Sequence, residues 1–159
     1  MTKYAGEEGE DCALKAIVVL ANPWNFVYGH HWLPSTFIGR NVYRYALGGA
    51  LRTLLHLHRR VFLEAPDLPI SREELEDVFR KRAITLGQYD HAVTSPLYGF
   101  KGPVDYYRRI SSSRVMTNIQ IPCLAINAAD DPIIGPGCFP IAEVRVHLQP
   151  RGGSFPPPF

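Results

Sequence analysis

Two adjacent carboxylates, Asp130 and Asp131, follow a short apolar run and stand directly before Pro132. The run itself, Ile121 to Ile126, has the composition of a buried strand, so the turn after it brings the acids to the rim of a sheet. Ligands and catalytic groups of open α/β sheets gather beyond the carboxyl ends of parallel strands, which makes this turn a candidate site for acid chemistry. Asp-Asp-Pro is also suited to a turn or helix start in which the carboxylates accept backbone hydrogen bonds. Both interpretations stay open.

Composition limits the classes of protein to consider. The 159 residues are 46% hydrophobic and 20% charged, which fits one modest core. The net charge of +2 and the short Lys/Arg runs give no support for a nucleic-acid partner. The longest apolar run, Leu14 to Ala21, falls short of the roughly 18 residues that a membrane span needs.

Three cysteines, Cys12, Cys123 and Cys138, lack the Cys-x-x-Cys spacing of a zinc site. No signal peptide precedes them, so we expect free thiols in a reducing compartment, cytoplasmic or membrane-associated. His30 and His31 are adjacent and point in different directions on a helix or a strand, which favours surface or packing roles over metal binding. We expect neither a metal nor a cofactor.

Two further segments are predicted to be strands. Leu14 to Ala21 is a β-branched apolar run typical of a strand buried on both faces of a parallel sheet, and Asn22-Pro23-Trp24-Asn25 ends it. Near the other end, Glu143 to Leu148 alternates polar with apolar residues as an edge strand does. With Ile121 to Ile126, these segments predict about three strands.

Helices are predicted between the first two strands. Gly29 to Arg40 has no clean period and is interpreted as a loop or the start of a cap. Asn41 to Phe62 has apolar residues at helical spacing with arginines beside them, and Gly48-Gly49 is expected to weaken or kink the helix. Such a basic amphipathic helix either packs on a core or lies on a membrane surface.

A second helix is marked by Ser71 and Glu74, which form a capping box, and by Gly87, predicted as its C-cap. Ala92 to Lys101 is interpreted as a loop. Gly102-Pro103 is expected to start a short helix that runs to Ile110.

Several stretches together resemble the abhydrolase-type α/β-hydrolases, which include plant embryogenesis-associated esterase-like proteins and animal lipid hydrolases. Their order and spacing carry the resemblance; they are Met1 to Gly9, Asn22 to Trp24, Asp90 to Pro96, Gly99 to Lys101, Asp105 to Arg109 and Asn127 to Pro132. The resemblance implies the carboxyl-terminal part of an α/β-hydrolase fold: about three mostly parallel strands with flanking helices and a helical cap. The partial domain would span residues 1–153, with the cap at roughly 30–87 and an irregular tail at 154–159.

The resemblance also implies a serine, acid, histidine triad in that chain order, and it places the acid on Asp131. The chain contains no Gly-x-Ser-x-Gly elbow, and Ser154 stands where the family has its histidine after Gly-Gly. His147, on the last predicted strand, and Ser154 are poor substitutes for the missing base and nucleophile. We therefore expect a fragment of a serine esterase or lipase for lipid or acyl esters that is catalytically incomplete alone.

The alternative from another class is a non-catalytic interaction protein derived from the same fold. The strand at Leu14 to Ala21 would have an unpaired apolar edge, which favours pairing with a full-length homologue. Peripheral membrane contact through Asn41 to Phe62 is a further alternative.

Overall fold

The structure, a computed structural model, describes residues 1–148. This part of the chain contains two strands, and most of its helices lie between them in sequence. In chain order they are α1 (Thr2–Glu8), β1 (Ile17–Leu20), α2 (Phe26–Trp32), α3 (Arg44–Leu57), α4 (Arg59–Glu64), α5 (Arg72–Arg80), α6 (Leu86–Tyr89), α7 (Ser95–Leu97), α8 (Pro103–Ile110), β2 (Cys123–Ile126) and α9 (Ile141–Leu148).

β1 and β2 form a parallel pair in which Ile17 lies opposite Cys123 and Leu20 lies opposite Ile126. Both strands fall inside the segments predicted for them and are shorter: β1 starts three residues later and ends one residue earlier, and β2 begins after Pro122. Parallel strands need a long crossover, and the helices from α2 to α8 supply it.

The third predicted strand is wrong. Residues 141–148 form α9, so the part of the chain that the structure describes has a sheet of two strands. A pattern of six alternating residues is too short to distinguish the period of a strand from that of a helix. In the structure the Val144 amide donates to the Pro140 carbonyl, which forms the first turn of α9.

One face of the sheet is buried and the other is open. The buried face packs into a cluster with α1 and the turns before β2; its members are Ala5, Ile17, Val19, Trp24, Met116, Ile119 and Cys138. The opposite face exposes Val18, Leu20, Leu124 and Ile126, each by more than half. The prediction that β1 is buried on both faces is therefore wrong within residues 1–148, and so is the interpretation of Ile121 to Ile126 as a buried strand, because Cys123, Leu124 and Ile126 are exposed.

A second cluster joins the helices between the strands. It is built from apolar residues of α3, α5 and the α6 region, namely Leu55, Ile70, Leu75, Val78, Phe79, Ile84, Tyr89 and Val93. The predicted helix at Asn41 to Phe62 is confirmed as α3 and α4, and α3 continues through Gly48. A Cβ on Gly48 would lie 2.3 Å from the Ile84 carbonyl oxygen, so this glycine allows α3 to approach the segment before α6 closely.

The capping box at the start of α5 is confirmed: the Glu74 amide donates to Ser71 Oγ, and the Ser71 amide donates to the Glu74 carboxylate. The predicted end of this helix is wrong. α5 stops at Arg80, and Gly87 lies inside α6, which has its own capping box from Thr85 and Gln88. Periodic apolar residues continued across two short helices and hid the break between them.

Two predicted loops are also helical. Gly29 to Arg40 contains the end of α2, a 3₁₀ turn and the start of a π-helical turn at Gly39–Tyr43. Ala92 to Lys101 contains part of a second π-helical turn, Asp90–Thr94, and α7. Pro96 lies in α7, which follows the π-helical turn directly, so α6, this turn and α7 form one continuous helical stretch from Leu86 to Leu97. The predicted helix after Gly102-Pro103 is confirmed as α8.

None of the helices within residues 1–148 is both long and apolar enough to cross a bilayer.

Replacing Leu75 by alanine should destabilise the chain by about 2–5 kcal/mol, because Leu75 is 1% exposed at the centre of the helical cluster and its removal leaves a cavity. The matched control is Leu57→Ala, since Leu57 is 75% exposed. Chemical denaturation followed by far-UV circular dichroism measures both. Equal losses in the two variants would show that the helical cluster is not packed as described.

Candidate functional site

The turn after β2 is held by Asp131. Its Oδ1 accepts hydrogen bonds from the backbone amides of Ile133, at 2.8 Å, and Ile134, at 3.0 Å. The side chain is half-buried, and within residues 1–148 its Oδ2 accepts no hydrogen bond. Asp130, its neighbour, is exposed.

This geometry fits the turn interpretation and leaves the chemical one open. One oxygen of Asp131 organises the loop, as Asx turns do. The other is available to a further donor, and an imidazole N–H is one such donor. The carboxylate is therefore fixed in place by its own loop before any partner reaches it.

The ends of the two strands are joined beside this turn. Asn127, the first residue after β2, accepts a hydrogen bond from Trp24 Nε1 at 3.2 Å and donates one to the Asn22 carbonyl at 3.1 Å. Trp24 is fully buried. The carboxyl ends of β1 and β2 are thus held at one edge, which is where open parallel sheets place their sites.

A cavity of about 260 Å³ adjoins the Asp131 turn. Ile133 and Ile134, whose amides bind Asp131, form part of its wall. The rest of the wall is mainly apolar, with a few polar groups; it includes Pro23, Phe26, Leu33, Leu86, Asn25, His30, Arg44 and Tyr107. The sequence analysis did not predict this cavity, because its residues come from α2, α3, α6, α8 and the Asp131 loop.

His30 lies in the cavity wall and not in a metal site. Burial lowers its pKa below the usual 6.5, the neighbouring His31 lowers the pKa further, and Asp90 acts in the opposite direction. Its ring lies 5.0 Å from the ring of Tyr107. Among the residues that the structure describes, no group of three His, Cys, Asp or Glu side chains could hold a metal ion.

A buried polar cluster lies behind the cavity. Asp90 is 5% exposed and accepts hydrogen bonds from Thr94 Oγ1, at 2.7 Å, and from the hydroxyl of Tyr107. Burial, followed by the bond to Asp90, raises the pKa of Tyr107 well above its usual range. The hydroxyl therefore stays protonated and donates to the carboxylate. Asp90 was part of a sequence motif, but its spacing alone gave no sign of this bond.

The cysteines are free thiols, as predicted. Cys138 is buried, and burial raises its pKa, while its Sγ accepts a hydrogen bond from the Asn25 amide at 3.2 Å. Its role is packing against the Trp24 cluster. Ser154 and His147 were considered as a substitute nucleophile and base. Ser154 lies outside the described residues, and so does the side chain of His147.

Replacing Tyr107 by phenylalanine should destabilise the chain by about 1–3 kcal/mol, because the buried Asp90 carboxylate would lose one of its two donors. Tyr106→Phe is the matched control, since the Tyr106 hydroxyl makes no hydrogen bond within residues 1–148. Thermal or urea unfolding measures both. Equal stability of the two variants would contradict the role given to the Tyr107 hydroxyl.

The chain should lose stability as the pH falls below about 6.5, in part through His30. The folded state lowers the pKa of this histidine, so protons bind the unfolded chain more readily and favour unfolding. His30→Asn should reduce the slope of melting temperature against pH over this range. His91→Asn, which removes an exposed histidine, is the control, and an equal loss of slope in both would contradict the assignment.

No family model and no solved structure matches this chain. Curated proteins do match. The chain is 30% identical to monoacylglycerol lipase of Saccharomyces cerevisiae over 91% of its own length and 31% of that protein. It is 33% identical to an abhydrolase domain-containing protein of Dictyostelium discoideum, over 91% of the chain and 34% of that protein.

A plant relative gives the same result. The embryogenesis-associated protein EMB8 of Picea glauca is 28% identical over 96% of the chain and 34% of its own length. The chain spans about a third of the length of these relatives, and its small parallel sheet with many helices is compatible with part of an α/β fold. The chain is thus a homologue of the abhydrolase-type α/β-hydrolases, as its sequence motifs indicated.

Proposed function

We propose that this chain forms part of a serine ester hydrolase for lipid or acyl esters, with Asp131 as the acid of its catalytic triad. The observation that carries the proposal is the placement of Asp131: it follows β2 at the carboxyl edge of the sheet, and Oδ2 is unpaired within residues 1–148. Similarity to a lipase and to abhydrolase proteins supports the reaction class.

In this proposal Asp131 acts through a histidine. Its free oxygen accepts the imidazole N–H, fixes the tautomer and stabilises the imidazolium formed when the serine loses its proton. The backbone bonds to Ile133 and Ile134 hold the carboxylate in one orientation, so little freedom is lost when the histidine arrives.

The nucleophile and base must come from other polypeptide, in cis or in trans. The 159 residues contain no Gly-x-Ser-x-Gly, and Gly152-Gly153 is followed by Ser154 and not by histidine. Loss of a triad nucleophile or base lowers turnover on the order of a million-fold, so Asp131 without them leaves no measurable hydrolysis.

The cavity suits the apolar part of an ester. Its volume is about 260 Å³ and its wall is mainly apolar, which suits an acyl chain better than a bulky polar head group. Its position against Ile133 and Ile134 would bring a bound chain close to the Asp131 turn.

A second candidate function, a non-catalytic interaction protein, is favoured by the open face of the sheet. Val18, Leu20, Leu124 and Ile126 form a continuous exposed apolar surface, and both strands have a free edge within residues 1–148. Such surfaces and edges pair readily with another chain. Co-purification with a full-length hydrolase homologue through this face would support it.

The test is a chimera in which residues 1–153 of this chain replace the matched segment of the yeast monoacylglycerol lipase. The lipase supplies the serine and the histidine. Asp131→Asn should lower kcat for a short-chain ester on the order of ten-thousand-fold, because asparagine cannot stabilise the imidazolium. The same substitution keeps an Oδ1 acceptor for Ile133 and Ile134, so the melting temperature should change little.

Asp130→Asn is the matched control, since it removes the neighbouring exposed carboxylate and should leave kcat nearly unchanged. An active chimera in which both substitutions have similar small effects would overturn the role of Asp131. An Asp131→Asn chimera that loses its activity only because it unfolds would support the turn role and not the catalytic one.

A further inference from the structure

The outer face of α3 is apolar where a solvent-facing helix is normally polar. Ala46, Ala50, Leu54 and Leu57 are exposed and recur at spacings of four, four and three residues, which places them on one side of the helix. Val42 before α3 and Val61 in α4 extend the exposure at either end. We call these six residues the outer stripe.

The opposite face of α3 packs against the helical cluster. Leu55 is 2% exposed in the helical cluster, Leu51 packs against that cluster, and Gly48 meets the Ile84 carbonyl. The outer stripe is therefore not needed for the core. A helix that is apolar on both faces is normally covered on both, by protein or by lipid.

The chain segment that contains the outer stripe carries charge of one sign, and Glu64 and Glu76, which pair with Arg60 and Arg59, lie beyond it in sequence. From Cys12 to Leu63 the chain contains no Asp or Glu, although it has 15 of them in total. The same stretch carries Lys15 and five arginines, the latter being Arg40, Arg44, Arg52, Arg59 and Arg60. A basic segment with exposed aliphatic residues is typical of helices that lie in a membrane interface.

Arg40 and Arg60, near the two ends of the stripe, are exposed and at most weakly held by other side chains. Arg40 is exposed and its guanidinium has no partner within residues 1–148. The side chain of Arg60 is 88% exposed, and its 3.4 Å pair with Glu64 is also on the surface, where such pairs contribute little. By contrast, Arg59 is paired with Glu76, and Arg52 donates to the Lys81 carbonyl.

We propose that the outer stripe docks on an anionic lipid bilayer, with the aliphatic side chains at the acyl boundary and Arg40 and Arg60 on the head groups. A second copy of the chain is a poorer occupant, because isologous packing would place these arginines against arginines of the other copy. Arg44 lies at the start of α3 and also in the cavity wall, so docking would bring the cavity close to a lipid surface. The docking does not depend on the proposed hydrolase role.

The test is vesicle co-sedimentation of the 159-residue chain, with no ester hydrolysis in the assay. The vesicles contain phosphatidylcholine alone or phosphatidylcholine with phosphatidylglycerol, at low and at high salt. Binding should need the anionic lipid and weaken with salt. Arg40→Gln with Arg60→Gln should weaken it by about fivefold for each arginine. Leu54→Glu with Leu57→Glu should weaken it by more than about tenfold.

The matched control is Val104→Glu with Ile141→Glu, which adds the same charge at two exposed aliphatic residues of α8 and α9. Circular dichroism confirms that each variant is folded. Equal losses in the two glutamate pairs would overturn the proposal, because added negative charge and not the outer stripe would then determine binding. Salt-independent binding to neutral vesicles, or a dimer broken by Leu54→Glu without vesicle binding, would also overturn it. Each outcome leaves the role of Asp131 unaffected, because that role is measured on a soluble ester in the chimera.

Discussion

The bond network around Asn127 is the constraint on which the rest of the structure depends. β1 and β2 are separated in sequence by the whole helical region, so their parallel pairing needs a closure that local contacts do not provide. Asn127 provides it by accepting from buried Trp24 and donating to the Asn22 carbonyl. This fixes where β2 ends, and therefore where the next turn places Asp131. The position of the proposed acid is a consequence of how the two strands are joined.

The helices between the two strands form much of the cavity wall beside this edge of the sheet. α2 and α8 bring His30 and Tyr107 to one side of the cavity, while the Asp131 loop brings Ile133 and Ile134 to the other. Behind the cavity, the Asp90 carboxylate is satisfied by Thr94 and Tyr107, so a charged group is buried without being left unpaired. The same helices present an apolar outer face that the core does not use. In the two proposals, the inner side of this helical region would hold a chain-like ligand and its outer side would meet a lipid surface.

Local signals in the sequence were enough for the elements that are stabilised locally. The helices α5 and α8 were predicted from Ser71 with Glu74 and from Gly102-Pro103, and the strands β1 and β2 from two apolar runs. Caps and apolar strands have short-range patterns that a single sequence displays. The predictions of an edge strand at Glu143 to Leu148 and of a loop at Gly29 to Arg40 were wrong. Six alternating residues fit the period of a strand and that of a helix, and π-helical turns have no sequence signature. Asp131 could be proposed from the sequence as the triad acid, and that role stays a prediction. The cavity and the Asp90 cluster could not be proposed, because their residues meet only after the crossover folds.

The central claim is that Asp131 accepts a hydrogen bond from a histidine. Proton NMR of the chimera with the yeast lipase tests it directly, because an imidazole N–H bonded to a buried carboxylate gives a strongly deshielded resonance. The account predicts such a resonance in the chimera, its loss in Asp131→Asn and its persistence in Asp130→Asn. A deshielded imidazole proton that survives in the Asp131→Asn chimera would contradict the account, since the histidine would then have another acceptor.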